Sequence, residues 1–253
     1  MAKKIYEETN IAAIAERIRA NTGGTDTYNT EEMAGGVDEV YAAGISDGKK
    51  AEYDAFWDEY QNNGNRANCN HMFAGRGWNS DTFKPKYDIK PKNAYMIFRE
   101  CGLSGDLVAI LDAVGIELDF SNATDGQMAF ATTTFTRVGI IDLSNFTSAS
   151  QANYLFMQSS KLVTIDRLIL PNTQLNLTDA FSSCTALKNI TIEGQIRYNF
   201  DVKSCPLTHD SLMSIINALG DGLSHTLTIG ETNLAKLTQD EIDIAEAKGW
   251  TVK

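Results

Sequence analysis

The pattern of apolar and polar positions changes about a quarter of the way along the chain. In the first part the apolar residues recur at helical spacing. Ile11, Ile14 and Ile18 form one stripe, Met33, Val37 and Val40 a second, and Tyr53, Phe56, Trp57 and Tyr60 an aromatic third. Steps of three and four residues put such positions on one face of a helix. Asn21-Thr22-Gly23-Gly24 ends the first helix, because glycine takes the left-handed conformation of a C-cap without a Cβ penalty. Asn29, followed three residues later by Glu32, opens the second in the manner of a capping box. Gly44 and Gly48 weaken the helical pattern beyond Val40, each by about 1 kcal/mol relative to alanine. Short, narrow-faced helices bury little area alone. Their stripes must pack on the rest of the chain, on another copy or on a partner. For the aromatic stripe, docking onto the following domain and service as an assembly or ligand surface both stay open.

From about residue 63 the pattern is a repeat, the signature of stacked units. Phe73, Phe98, Phe130, Phe156 and Phe181 follow one another at intervals of 25, 32, 26 and 25 residues. A small residue stands three positions after four of them, at Cys101, Thr133, Ser159 and Cys184. Short strand-like runs come next, ending at Ile89, Phe120, Leu143, Leu170, Ile192, Ile229 and Val252. Helix-like insertions fall at Asp106–Val114 and at Thr208–Leu219, the second capped by Thr208 and ended by Gly220. Spacings of 22–27 residues with one strand per unit are those of leucine-rich repeats. The expectation is an α/β leucine-rich-repeat solenoid, with one short parallel strand per repeat, an N-terminal helical segment and a C-terminal helical cap. The expected domains are 1–62, a helical attachment or oligomerisation segment, and 63–253, the solenoid. Within the latter, 63–92 is an N-terminal cap, 93–204 the repeats and 205–253 a C-terminal cap with helices at Thr208–Leu219 and Thr238–Lys248.

Three segments resemble known modules. Ile14–Met33 has a helix ending in Ile-Arg, a Thr-Gly turn and a second helix opened by a polar cap and Glu-Met. It resembles a unit of tail and baseplate proteins of bacteriophages infecting Gram-positive bacteria. Ala180-Phe-Ser-Ser-Cys-Thr-Ala-Leu-Lys-Asn-Ile-Thr-Ile192 resembles the BspA-like repeat: Ala-Phe, two small residues, Cys, two residues, Leu, then Ile-x-Ile. Cys205–Leu219, Thr226–Leu237 and Ala247–Val252 together resemble the closing module of phage tail proteins that carry such repeats. The resemblance implies a virion protein of the tail or baseplate, assembled in the bacterial cytoplasm. Its repeats would bind a host-surface receptor, carbohydrate or protein, and its helices would attach to other phage tail proteins or form a homo-oligomer, with a trimer favoured. The alternatives are a structural or decoration protein of the virion that binds no receptor, and a bacterial surface leucine-rich-repeat adhesin.

Composition narrows the partners. The 253 residues carry 33 acidic and 22 basic side chains, a net charge of -11. Such a chain repels phosphate backbones and anionic membrane surfaces, so no nucleic-acid partner is expected. No apolar run reaches the length of a membrane span, so no membrane insertion is expected. Met1-Ala2-Lys3-Lys4-Ile5-Tyr6-Glu7-Glu8 lacks the apolar core of a signal peptide, which predicts synthesis and retention in a cytoplasm or exit by another route.

Candidate chemistry is sparse. Cys69, Cys101, Cys184 and Cys205 fit no zinc spacing and read as small buried thiols. His71, His209 and His225 form no metal-binding pair, and no nucleotide or nucleophile-elbow motif occurs. No metal or cofactor is expected. Cys69 and His71 are a conceivable thiolate–imidazole pair, but no orienting third group accompanies them. Glu117 and Asp119 would share one face of a strand, about 7 Å apart, within the range of glycosidase carboxylates. Nothing in the sequence supplies the apolar wall that raises a catalytic acid's pKa, so no enzyme is expected. Alternation along the runs puts Leu118, Phe120, Ile141, Leu143, Leu168, Leu170, Ile190, Ile192, Leu227 and Ile229 inside. It puts Glu117, Asp119, Asp142, Arg167, Thr191, Glu193 and Thr228 outside, on a ribbon suited to carbohydrate or to a basic protein patch, or merely solvated. Trp78 is either a sugar-stacking ring or a packed one.

Overall fold

The computed structural model describes residues 69–253 apart from 70, 76, 80–82, 84, 86, 178 and 223. Ile11, Ile14, Ile18, Met33, Val37, Val40, Tyr53, Phe56, Trp57 and Tyr60 lie outside the described residues, as does the whole 1–62 segment. The order of elements is β1 (Ser104–Asp106), α1 (Leu107–Asp112), β2 (Thr134–Asp142), a 3-10 turn (Ala149–Ala152), β3 (Thr164–Ile169), β4 (Asn189–Glu193), β5 (Phe200–Asp201), α2 (His209–Ala218), β6 (Thr226–Thr228), α3 (Glu231–Leu234), α4 (Gln239–Ala247) and β7 (Thr251–Val252). Strands β1-β2-β3-β4 form one parallel sheet and β5-β6-β7 another.

These two sheets correct the expectation of a leucine-rich-repeat solenoid. The fold is α/β, but its parallel strands divide into separate sheets of four and three. Two of the anticipated strands are missing from both. Tyr87–Ile89 and Ile116–Phe120 form no ladder and pair only as an isolated bridge between Ile89 and Leu118, beside which the Glu117 N–H donates to the Asp88 carboxylate at 3.0 Å. The first strand is instead Ser104–Asp106, and the Asp106 carboxylate immediately caps α1 by accepting from the Ala109 N–H at 3.1 Å. The first sheet stops at β4 for a local reason. The Ile190 and Ile192 N–H groups donate to the hydroxyls of Ser211 and Ser214 on α2, each at 2.9 Å. Side chains one helical turn apart therefore occupy the edge that a fifth strand would need.

The core is a column of phenylalanines. Phe73, Phe98, Phe130, Phe156 and Phe181 stack in order, with ring centroids 5.1–5.6 Å apart. Phe200, edge-on to Phe181 at 5.5 Å, closes it. All six rings are buried to within about 1%. Burying each contributes about 1.5–3 kcal/mol, before any stacking preference.

The segments that carry Phe98, Phe130 and Phe156 share one backbone device. Two residues before and two after the ring, the chain is left-handed: Met96 and Glu100 about Phe98, Met128 and Thr132 about Phe130, Tyr154 and Gln158 about Phe156, with φ of 53–61°. Each such residue costs about 1–2 kcal/mol in steric strain. The conformation turns alternate N–H groups towards the next segment. Met128, Phe130 and Thr132 donate to the carbonyls of Asn153, Leu155 and Met157 at 2.8–3.1 Å. Phe156 and Gln158 donate to Ala180 and Ser182 at 2.9 and 2.7 Å. The small residue three positions on completes the linkage. The Ser159 hydroxyl donates to the Phe130 carbonyl at 2.6 Å, and the Cys184 thiol to the Phe156 carbonyl at 3.0 Å.

Candidate functional site

Of the residues expected on the inner face, all are buried except Leu118, which is half-buried beside the isolated bridge. The outer face differs from the strict alternation that placed it. Phe135, Val138 and Ile141 of β2 are buried at intervals of three, as are Ile165 and Leu168 of β3. Register shifts between Gly105 and Asp106 and between Ile165 and Leu168 mark bulges, where one strand carries an extra residue. Two successive residues then face out together: Thr136 with Arg137, and Asp166 with Arg167.

This brings together a trio that period-two reasoning misses. Arg137 on β2 donates from Nε and Nη2 to the two oxygens of Asp166 on β3, at 2.8 and 2.7 Å. Its Nη1 reaches Asp106, at the end of β1, at 3.2 Å. The forked pairing with Asp166, then that with Asp106, raises the already high pKa of the guanidinium. Next along, Arg167 pairs with Glu193 on β4 at 3.0 Å.

Beside Asp166 lies an open groove of about 370 Å³ between the starts of β3 and β4 and the start of α2. Its polar lining is Thr164, Asp166, Asn189, Thr191, Asp210 and the Thr208–Ser211 cap. The Asn189 amide donates to the Thr164 hydroxyl at 3.3 Å. Thr208 caps α2, and its hydroxyl also bonds Ser211 at 3.0 Å, so this wall is fixed by the fold itself.

The other expected surface residues are scattered. Glu117 pairs with Lys90 at 2.7 Å, and Asp119 accepts from the Ser121 N–H at 2.8 Å. They lie on no strand, which removes the shared-face geometry expected of a carboxylate pair. Asp142 accepts from the Ser144 N–H at 2.8 Å and so holds the turn after β2. Thr228 belongs to β6, in the second sheet. Trp78 is half-buried, edge-on to the buried Phe83 at 5.9 Å, and its backbone N–H donates to the Cys101 carbonyl at 2.8 Å. Only Thr191 of the expected ligand-binding residues lines the groove.

Cys69 is fully buried and His71 exposed, packed edge-on to Tyr95. Burial pushes the Cys101 thiol up to about 11 and Cys184 to about 12, the opposite of what a nucleophile requires. Among the described residues, no three of His, Cys, Asp and Glu converge as a metal-binding group, and no helix is long and apolar enough to cross a membrane. No family model, curated protein or solved structure matches the chain.

Proposed function

We propose that this chain is a non-enzymatic component of a bacteriophage tail or baseplate, and that the outer face of its first sheet attaches to saccharide on the host cell. The observation that carries the binding part is the groove, whose hydroxyl, amide and carboxylate lining suits a polyhydroxylated ligand. The phage part rests on the resemblance of Ile14–Met33 and of the closing segment from Cys205 onward. The amino-terminal stripes then serve attachment to other tail proteins or trimerisation. Attachment without catalysis is supported by the groove carboxylate of Asp166, which is ion-paired to Arg137 through both oxygens rather than set against the apolar wall that a catalytic acid needs.

The test is adsorption of fluorescently labelled full-length protein to Gram-positive cells and to their purified walls. The expected result is saturable adsorption to some strains, lost on stripping wall glycopolymers, weakened in Thr191→Lys, and without release of reducing sugar. Absence of adsorption across the panel overturns the attachment reading. Release of reducing sugar overturns its non-enzymatic part.

A further inference from the structure

We infer that the groove prefers an uncharged saccharide to an acidic one, and that Arg137 is a positioning residue for it. This rests on the saccharide-binding reading above.

Every charged side chain lining the groove is a carboxylate, Asp166 and Asp210, and among the described residues no lysine or arginine lines it. The guanidinium that touches the lining, that of Arg137, is engaged by Asp166 and Asp106. An acidic sugar would bring an acceptor-only group to carboxylates, with no basic side chain in the lining to meet it. Like charges juxtaposed in this way discriminate against a ligand. A neutral sugar instead offers hydroxyls that both donate and accept.

The lining can meet both roles. A carboxylate has about four lone-pair positions. Arg137 occupies one on each oxygen of Asp166, which leaves acceptor capacity on both for sugar hydroxyls. Asn189 gives one N–H to Thr164 and keeps a second N–H and its carbonyl oxygen. Thr164 accepts that bond and retains its own O–H, and Thr191 is exposed on the neighbouring strand. The groove, at about 370 Å³, falls near the lower end of ligand pockets, which run from about 300 to 1,000 Å³. That matches a mono- or disaccharide unit of a larger polymer.

Arg137 does not line the groove. Its role is to hold the Asp166 carboxylate in one plane. A half-exposed aspartate otherwise samples several orientations, and fixing it removes that cost from binding.

The experiment is calorimetric titration of the full-length protein with maltose, lactose, N,N′-diacetylchitobiose and digalacturonate. At least one neutral disaccharide is expected to bind, with digalacturonate at least about tenfold weaker, the scale of one charge-assisted contact. Asp166→Asn, isosteric and less charged, should narrow that ratio. Arg137→Gln should weaken the neutral ligand about tenfold and leave the ratio in favour of neutral sugar, with partial recovery in Arg137→Lys. Arg167→Gln, which releases Glu193 outside the groove, should change neither. Equal or tighter digalacturonate binding overturns the inference. So does neutral affinity indifferent to both Asp166→Asn and Arg137→Gln, or adsorption to cells with no neutral disaccharide bound. In each of these cases the attachment reading survives if cells are still adsorbed. Loss of both cell adsorption and saccharide binding removes the two together.

Discussion

The Ser211 hydroxyl of α2 accepts the backbone N–H of Ile190 on β4 at 2.9 Å. This bond and its neighbour from Ile192 to Ser214 make the edge of the first sheet a helix contact rather than a free strand. Ile190 is buried, so removing its acceptor leaves a donor out of reach of water. Ser211→Ala is expected to destabilise the protein by about 1–3 kcal/mol. Ser214→Ala should lose less, because that bond is only part-buried. Urea unfolding with an unchanged slope and a lowered midpoint is the readout. A Ser211→Ala variant as stable as the parent would show that the edge is held by packing alone.

Phe130 stacks between Phe98 and Phe156 and also meets Phe120 at 5.6 Å. It therefore sits where a cavity is walled on several sides and collapses least. Phe130→Ala should cost about 3–5 kcal/mol. For a chain of this size that lowers Tm by very roughly 6–20 °C, at about 2–4 °C per kcal/mol. Phe200, which closes the column edge-on against Phe181, lacks a stacked ring on its far side among the described residues and should tolerate the same change better. Scanning calorimetry of both variants checks the order. Equal losses would mean that the column does not act as a stack.

The recurrence of Phe with a small residue three positions later was legible because it repeats with little variation, and the structure turns it into the ring column and the hydroxyl and thiol links. Thr208 and Thr238 were legible as helix starts, since a capping hydroxyl is a local signal. The division into two sheets was not. It depends on Ser211 and Ser214, which in sequence are ordinary polar positions on a helix. The outward trio was missed for another reason. Bulges at Thr136–Arg137 and at Asp166–Arg167 add a residue without any marker, and alternation projected back across them from Ile141 and Leu168 would turn Arg137 and Asp166 inward. Thr134-Phe-Thr-Arg-Val138, rich in β-branched and aromatic residues, was the available sign that β2 begins well before Gly139.

Gly194 and Gly115 separate strain from collision. Both have positive φ, 92° and 68°. A Cβ on Gly115 would meet nothing within 4 Å, whereas one on Gly194 would lie 2.7 Å from the Leu170 carbonyl oxygen. Gly115→Ala should cost about 1 kcal/mol, the left-handed penalty less the entropy lost from the unfolded chain. Gly194→Ala adds a backbone clash where the Leu170 N–H binds the Glu193 carbonyl, at the end of the β3–β4 ladder. A loss of about 2–4 kcal/mol is expected. Comparable urea midpoints for the two variants would contradict the close approach.

The buried thiols make stability fall on the alkaline side. Desolvation raises Cys101 to about 11 and Cys184 to about 12 from an ordinary 9.0, and raises Cys205 further still. A thiol is neutral when protonated, so the folded state holds its proton while the unfolded chain ionises. The contribution is fully present below pH 9.0 and is lost as pH climbs towards 11 and 12. The slope in that window is about 1.4 kcal/mol per pH unit for each thiol. Cys184→Ser keeps a donor for the Phe156 carbonyl, in the manner of Ser159, while removing the titration. Urea midpoints measured at pH 8, 9 and 10.5 should decline steeply in the parent and less steeply in Cys101→Ser/Cys184→Ser. In the folded parent at pH 8 a thiol reagent should react with these cysteines only after denaturant is added. Parallel pH slopes, or rapid labelling of the native protein, would place these sulfurs in contact with water.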